Sequence, residues 1–371
     1  MRSIILAVTL CLMSVSVALA QTPLRKQGPG LKDNEDARYA AEIQGCRNNH
    51  PPPPPNFAAR GRRGPRPTPT PAPQPPLLQA IPGVVAAGAK WHSLWHESGN
   101  NADGIVATQN GDVLVAQQDN SDVVRIDPRG HATVVYRDTN TGGALSMNKR
   151  GELFIGERGL HESIDELAPQ RKVLADSYQG DSLDCVGGGM NDLTAAANGG
   201  VYFTMGKLYY AAPDGTVSRE GDISGFTNGI ILSADEKTLY VTAGQFGQTG
   251  ALLAFDVGSD GMLTHQREFA ELSTGGDGST IDSQGRIYTT AGQVIDVISA
   301  QGRLLGVIPG PRGDSLISVA FGGPGKHTLY AVGLNSRFAR GGLGLPSDRL
   351  KQGGEVVAIH MLAAGYAGRA K

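Results

Sequence analysis

The sequence predicts an all-β chain folded as a six-bladed β-propeller, and three observations carry that prediction. Composition is the first: 52 glycines and only 6% aromatics in 371 residues suit many short strands joined by tight turns. The second is one hairpin that recurs along the chain. The third is its spacing, since a period of about 40 to 50 residues is that of a four-stranded blade.

The hairpin is clearest from Gly275 to Tyr288, where Asp277 precedes a β-rich run, a Gln284-Gly285 turn and a second strand. Asp277 lies seven residues before the first turn residue. The same offset of seven separates Asp103 from Asn110-Gly111, Asn191 from Asn198-Gly199, and Asn228 from Asp235-Glu236. Applied to Arg150-Gly151 and Gly325-Lys326, it lands on Gly143 and Ser318. Successive positions are therefore 40, 48, 37, 49 and 41 residues apart (103, 143, 191, 228, 277, 318). Further strand-like runs, such as Asp122 to Ile126, Lys207 to Tyr210, Ala251 to Phe255 and Val294 to Ile298, fill the units. Asp214-Gly215 and Asp260-Gly261 mark turns between them. A two-sheet sandwich would leave the sixfold repeat unexplained. Either Glu355 to His360 or the segment around Trp91 to Trp95 should complete the last blade.

Ahead of the repeats the chain changes character. Met1-Arg2-Ser3, the apolar run Ile4 to Leu12 and the small residues Ala18-Leu19-Ala20 read as a secretory signal peptide over 1–20. The mature chain is then exported, periplasmic or secreted. The apolar run is short for a membrane span, and no later stretch approaches the ~18 apolar residues one requires. Residues 21–82 read as a polar and Pro-rich linker, largely disordered, with a possible short helix from Asn34 to Ile43. Its prolines favour extended polyproline, and Arg60, Arg62, Arg63 and Arg66 make contact with an anionic cell surface conceivable. The propeller occupies 83–371. Cys46 and Cys185 remain after cleavage; an oxidising compartment permits their pairing, but their contexts differ and two unpaired thiols are expected.

A formal net charge of −2 leaves no whole-chain signature of nucleic-acid binding. The chemistry lies in the repeat. Inner strands of a propeller begin near the axis on one face, so Asp103, Asn191, Asn228 and Asp277 should converge there. Two carboxylates and two amide oxygens suit Ca²⁺; Zn²⁺ usually recruits Cys or His, absent from this set. The competing view is that Asp103-Gly104, Asn228-Gly229 and Asp277-Gly278 are ordinary turn dipeptides. Gln118, Asp119, Glu157, Arg158, His161 and Gln245 lie just past inner strands and read as solvated loop residues, with His161 as a candidate proton relay.

Phe226 to Asp235 with Thr238-Leu239-Tyr240-Val241, Met190-Asn191-Asp192-Leu193, Gly276-Asp277-Gly278 and Val319 to Gly323 together resemble blade motifs of the gluconolactonase/regucalcin-like (senescence-marker-protein) family. The resemblance spans about residues 98 to 368. It implies a six-bladed propeller, an axial divalent metal, usually Ca²⁺, and lactone hydrolysis, with Asp277 both near the metal and acting as base. This chain departs from the family in three ways. Asp103 stands where the family has Glu, Gly189 where it has a substrate-contacting Arg, and Met190 and Thr227 where it has Pro.

The reading is an exported lactonase-type hydrolase of a small cyclic ester, in which Asp277 activates water or attacks directly. A phosphotriesterase or esterase on the same scaffold, a non-catalytic Ca²⁺-stabilised binding propeller and a structural cell-envelope protein are the alternatives.

Overall fold

Six four-stranded antiparallel sheets account for the repeat. The computed structural model describes residues 37–50, 77–97, 100–108, 110–245, 247–311, 314–335 and 353–369. The expected signal peptide and the proline-rich stretch 51–76 lie outside the described residues. The inner strands of blades 1 to 6 are Ala102–Ala107, Ala144–Met147, Leu193–Ala195, Thr227–Leu232, Ser279–Ile281 and Asp314–Gly322. Each inner strand touches the next, and the sixth touches the first, so the ring closes.

Burial explains why the inner strands read as nearly continuous apolar runs. Both faces of a blade are covered by its neighbours, so alternation survives only at the rim. Thr227–Leu232 is buried throughout, whereas the outermost strand of blade 1, Ala132–Arg137, alternates between exposed and half-buried. The core is correspondingly divided into six wedges, each drawn mainly from two adjacent blades. One joins Tyr202 and Tyr210 of blade 3 to Ile230, Val241 and Phe255 of blade 4. Another joins Val106 and Val123 of blade 1 to Leu145 and Ile155 of blade 2.

Blade 6 closes the ring with both candidate segments. Gly354–His360 is its third strand and His92–Glu97, from the beginning of the domain, its fourth, with Ala358 opposite His92. The expectation that one or the other completes the blade was too narrow. Pairing strands from the two ends of the domain joins them non-covalently. At the opposite end of the axis from the inner-strand starts, residues 361–369 pass beneath the last residues of two inner strands. Tyr366 N–H donates to Ile281 O at 3.1 Å, and the Arg369 guanidinium donates to Leu232 O. The buried Lys326 ammonium fixes this tail through Tyr366 O at 2.8 Å, and burial lowers its pKa to about 8.

One expectation about the segment before the domain holds in part and another needs correction. The short helix expected from Asn34 to Ile43 is present as α1, Ala37–Gly45, and the residues after it dock on the loop leading into blade 3. Backbone N–H groups of Arg47, Asn48 and Asn49 donate to the Asp181 carboxylate at 2.8, 2.7 and 2.7 Å. Those donors, the Arg47 N–H foremost, hold the Asp181 carboxyl below the usual range. Cys46 and Cys185, expected to be unpaired, form a disulfide with Cα atoms 5.7 Å apart. Their contexts differ because one follows a helix and the other lies in a blade loop. Their proximity arises from docking over a sequence separation of 139, which no local pattern records.

Candidate active site

The four register residues all sit where an inner strand begins. Asp103 and Asn228 are the second residues of their strands; Asn191 and Asp277 each lie two residues before theirs. A chain of contacts links them around the axis. The Arg158 guanidinium donates to Asp103 Oδ2 at 2.5 Å and to the Asn191 carbonyl. Asn191 N–H donates to Thr204 O at 2.8 Å, and Thr204 Oγ1 donates to Asn228 O at 2.5 Å. Gly229 then packs on the Asp277 peptide, where an added Cβ would come within 2.6 Å of the carbonyl carbon.

That last contact decides how the Asp-Gly and Asn-Gly pairs are read. None of Gly104, Gly229 or Gly278 has the positive φ of a turn glycine. Each instead abuts the backbone of the next blade. A Cβ on Gly104 would lie 2.5 Å from Gly143 O, and one on Gly278 would lie 2.7 Å from Ile317 O. Real Cβ contacts essentially never fall under 3.0 Å, so these glycines serve close blade packing rather than turns. The same approach brings the preceding Asp or Asn to the axis. In blade 3 the glycine's place is taken by Asp192, whose carboxylate accepts from the Leu193 and Ile230 backbone N–H groups at 2.8 and 3.3 Å.

The electrostatics agree with convergence. Asp277 is half-buried, and burial pushes its pKa well above the usual carboxylate range. The negative charges of Asp103 and Asp192 push it further; Arg158 and the Gly278 N–H oppose them. Asn228 is 4% exposed, and its Oδ1 is buried without a hydrogen-bond partner. A buried amide oxygen left unpaired is costly. A hard cation would satisfy it and relieve the crowding of carboxylates, so the donor set fits a divalent ion such as Ca²⁺.

The six residues read as solvated loop groups divide. Gln118, Asp119, Glu157 and Arg158 are buried, which corrects that reading; Gln245 and His161 are exposed. Gln118 Nε2 donates to Asp103 Oδ2 at 3.1 Å and belongs to the site. Asp119 braces the approach to blade 1 by accepting from Asn101 N–H at 2.9 Å. Glu157 pairs with Arg171 at 3.1 Å, yet burial and the Asp165 charge raise its pKa to about 8. His161 does not join the axial set. Its Nδ1 is 3.9 Å from Glu42 of α1, and with Asp184 they form a separate cluster whose ligand atoms lie within 4.8 Å of one another.

Arg158 is the site residue whose role the sequence reading missed. The available signal was its register: 118 − 103 = 15 and 158 − 143 = 15, so Gln118 and Arg158 occupy one position in successive blades.

A six-bladed propeller with Asp and Asn residues at the starts of its inner strands is the class that fold and site define. Residues 133–333 match the SMP-30/gluconolactonase/LRE-like region, and the chain belongs to that family. A gluconolactonase of Zymomonas mobilis is 24% identical over 292 residues, which covers 67% of this chain and 77% of the relative. A gluconolactonase structure from Xanthomonas campestris superposes with a TM-score of 0.60 at 21% identity, covering 78% of this chain and 95% of that one. A calcium-binding regucalcin from Agrobacterium tumefaciens gives a TM-score of 0.56 at 19% identity, covering 75% and 97%. At these identities the solved structures speak for the fold.

Proposed function

We propose that this protein is an exported, metal-dependent lactonase-type hydrolase with Asp277 as its base. The observation that carries the reading is Asp277 itself, a carboxyl at the axial start of an inner strand whose proton affinity is raised by burial and by the negative charges of Asp103 and Asp192, with Arg158 opposing them. Family membership and the gluconolactonase of Zymomonas mobilis favour a lactone as the cyclic ester. The calcium-binding description of the regucalcin favours Ca²⁺.

Asp103, Asn191, Asn228 and Asp277 would hold the ion through hard oxygens. When bound, it would polarise the ester carbonyl and stabilise the oxyanion as charge develops. The chain's own groups handle the proton. Water adds to the lactone carbonyl carbon while its proton passes to the Asp277 carboxylate. Breakage of the ring C–O bond then releases an alkoxide, to which Asp277 returns that proton, leaving one hydroxy acid. A carboxyl whose proton affinity is raised by burial suits both transfers better than a surface carboxylate would. Gln118 and Arg158 orient Asp103 by holding its Oδ2. The tail beneath blades 4 and 5 lies at the other end of the axis, so substrate enters at the inner-strand starts.

Export is supported by the Cys46–Cys185 disulfide, since such bonds persist in oxidising compartments. The test is hydrolysis of a panel of sugar and aliphatic lactones, alongside linear esters and phosphotriesters, with and without chelator. Chelator-sensitive opening of lactones is expected. Hydrolysis confined to phosphotriesters or linear esters, or no turnover on the panel, would overturn the reading.

A further inference from the structure

Arg158 places a fixed positive charge inside a site whose other groups suit a cation. Its side chain is 4% exposed and its guanidinium donates to Asp103 Oδ2 at 2.5 Å and to the Asn191 carbonyl. Both residues belong to the proposed ligand set. The guanidinium fits there because blade 2 carries glycine at the register position. A Cβ on Gly143 would overlap the guanidinium and lie 2.5 Å from Arg158 Nε. Blade 2 thus contributes a cation from just past its second strand, where blades 1 and 5 contribute carboxylates from the start of their first strand or the residues just before it.

We propose that Arg158 is an internal counter-cation that shares Asp103 with the metal and sets a low divalent-ion affinity. The inference rests on the metal reading above and deepens it. Arg158 neutralises the Asp103 carboxylate by direct contact, so the site offers an ion one unit less negative charge than its carboxylates alone would. Ligand charge is the main lever on Ca²⁺ affinity in oxygen sites, and like charges repel strongly in a partly dehydrated channel. Asp103 also has Oδ2 engaged by both Arg158 and Gln118. Metal binding must therefore draw on a carboxylate that is already neutralised. The guanidinium keeps the acidic cluster compatible with folding at low metal, and the ion becomes exchangeable rather than permanent.

Calorimetric titration of the full chain with CaCl₂ tests this for wild type, Arg158→Met, Arg158→Gln and Arg158→Lys. Circular dichroism and thermal unfolding establish that each variant is folded. Neutral Met or Gln should tighten Ca²⁺ binding at least ~10-fold, and Gln does so while keeping a donor for Asp103. Lys keeps the charge without the planar fork and should stay near wild type. Without metal, Arg158→Met should unfold at a lower temperature than wild type, and Ca²⁺ should raise its Tm by more. If Arg158 only positioned Asp103, the order would reverse, with Met and Gln binding more weakly. Equal affinities across the series, or weaker binding by the neutral variants, overturn this inference and leave the metal reading standing. Failure of all four proteins to bind Ca²⁺ overturns both.

Discussion

Gly229→Ala probes the packing that delivers Asp277 to the axis. The added Cβ would lie 2.6 Å from the Asp277 carbonyl carbon and still closer to its oxygen, whereas ordinary contact begins near 3.4 Å. Since 3.4 − 2.6 = 0.8, the backbones of blades 4 and 5 must separate by at least 0.8 Å at this point. Overpacking of this kind costs about 1–3 kcal/mol. A displacement of ~1 Å in a positioned catalytic group can cost ~10²-fold in rate. The substitution should therefore lower Tm moderately and turnover steeply. Initial rates of lactone hydrolysis and thermal unfolding read the two effects on the same preparation. Gly45→Ala is the control, since Gly45 has nothing within 4 Å of an added Cβ. A Gly229→Ala protein with wild-type Tm and turnover would refute the packing argument.

Reduction of the disulfide, or Cys185→Ser, should lower the unfolding free energy by about 2–4 kcal/mol, because the bond closes a long loop in the unfolded chain. Thermal unfolding with and without reductant checks this, and an unchanged Tm would contradict the pairing. Glu157 predicts a pH dependence. Its folded pKa of about 8 exceeds the ordinary value of 4.5, so the folded state holds a proton that the unfolded state releases. Its contribution to stability is greatest below the unfolded pKa and is lost as pH rises to 8, at up to about 1.4 kcal/mol per pH unit. Glu157→Gln should flatten denaturant-midpoint curves between pH 5 and 8; an identical slope would argue against a buried, protonated carboxyl.

Much of the fold was legible because a propeller repeats one local unit. The offset of seven from Asp277 to Gln284-Gly285 returns in every blade, although the inner strands themselves run from three to nine residues. The double closure of blade 6 was only half legible, since His92–Glu97 and Gly354–His360 meet through ring geometry rather than sequence proximity. The glycines after Asp103, Asn228 and Asp277 were ambiguous for a similar reason. A turn and a close interblade approach both favour glycine, and only the φ angles and the neighbouring backbone tell them apart. Arg158 looked like a loop residue because it follows a strand. Its burial depends on the vacancy at Gly143, just ahead of the inner strand of the same blade. Docking of Cys46 on Cys185 left no periodic trace at all.

The central claim is that Asp277 is a proton-transferring base as well as an axial ligand. Lactone turnover by wild type and Asp277→Asn across a Ca²⁺ titration tests it most directly. Asn keeps an oxygen for the ion but cannot accept the proton. The variant should fold, retain some Ca²⁺-induced rise in Tm, and lose turnover by about 10²-fold or more at every Ca²⁺ concentration. Asp103→Asn should instead recover part of its rate as Ca²⁺ increases. Full turnover by Asp277→Asn would contradict the claim.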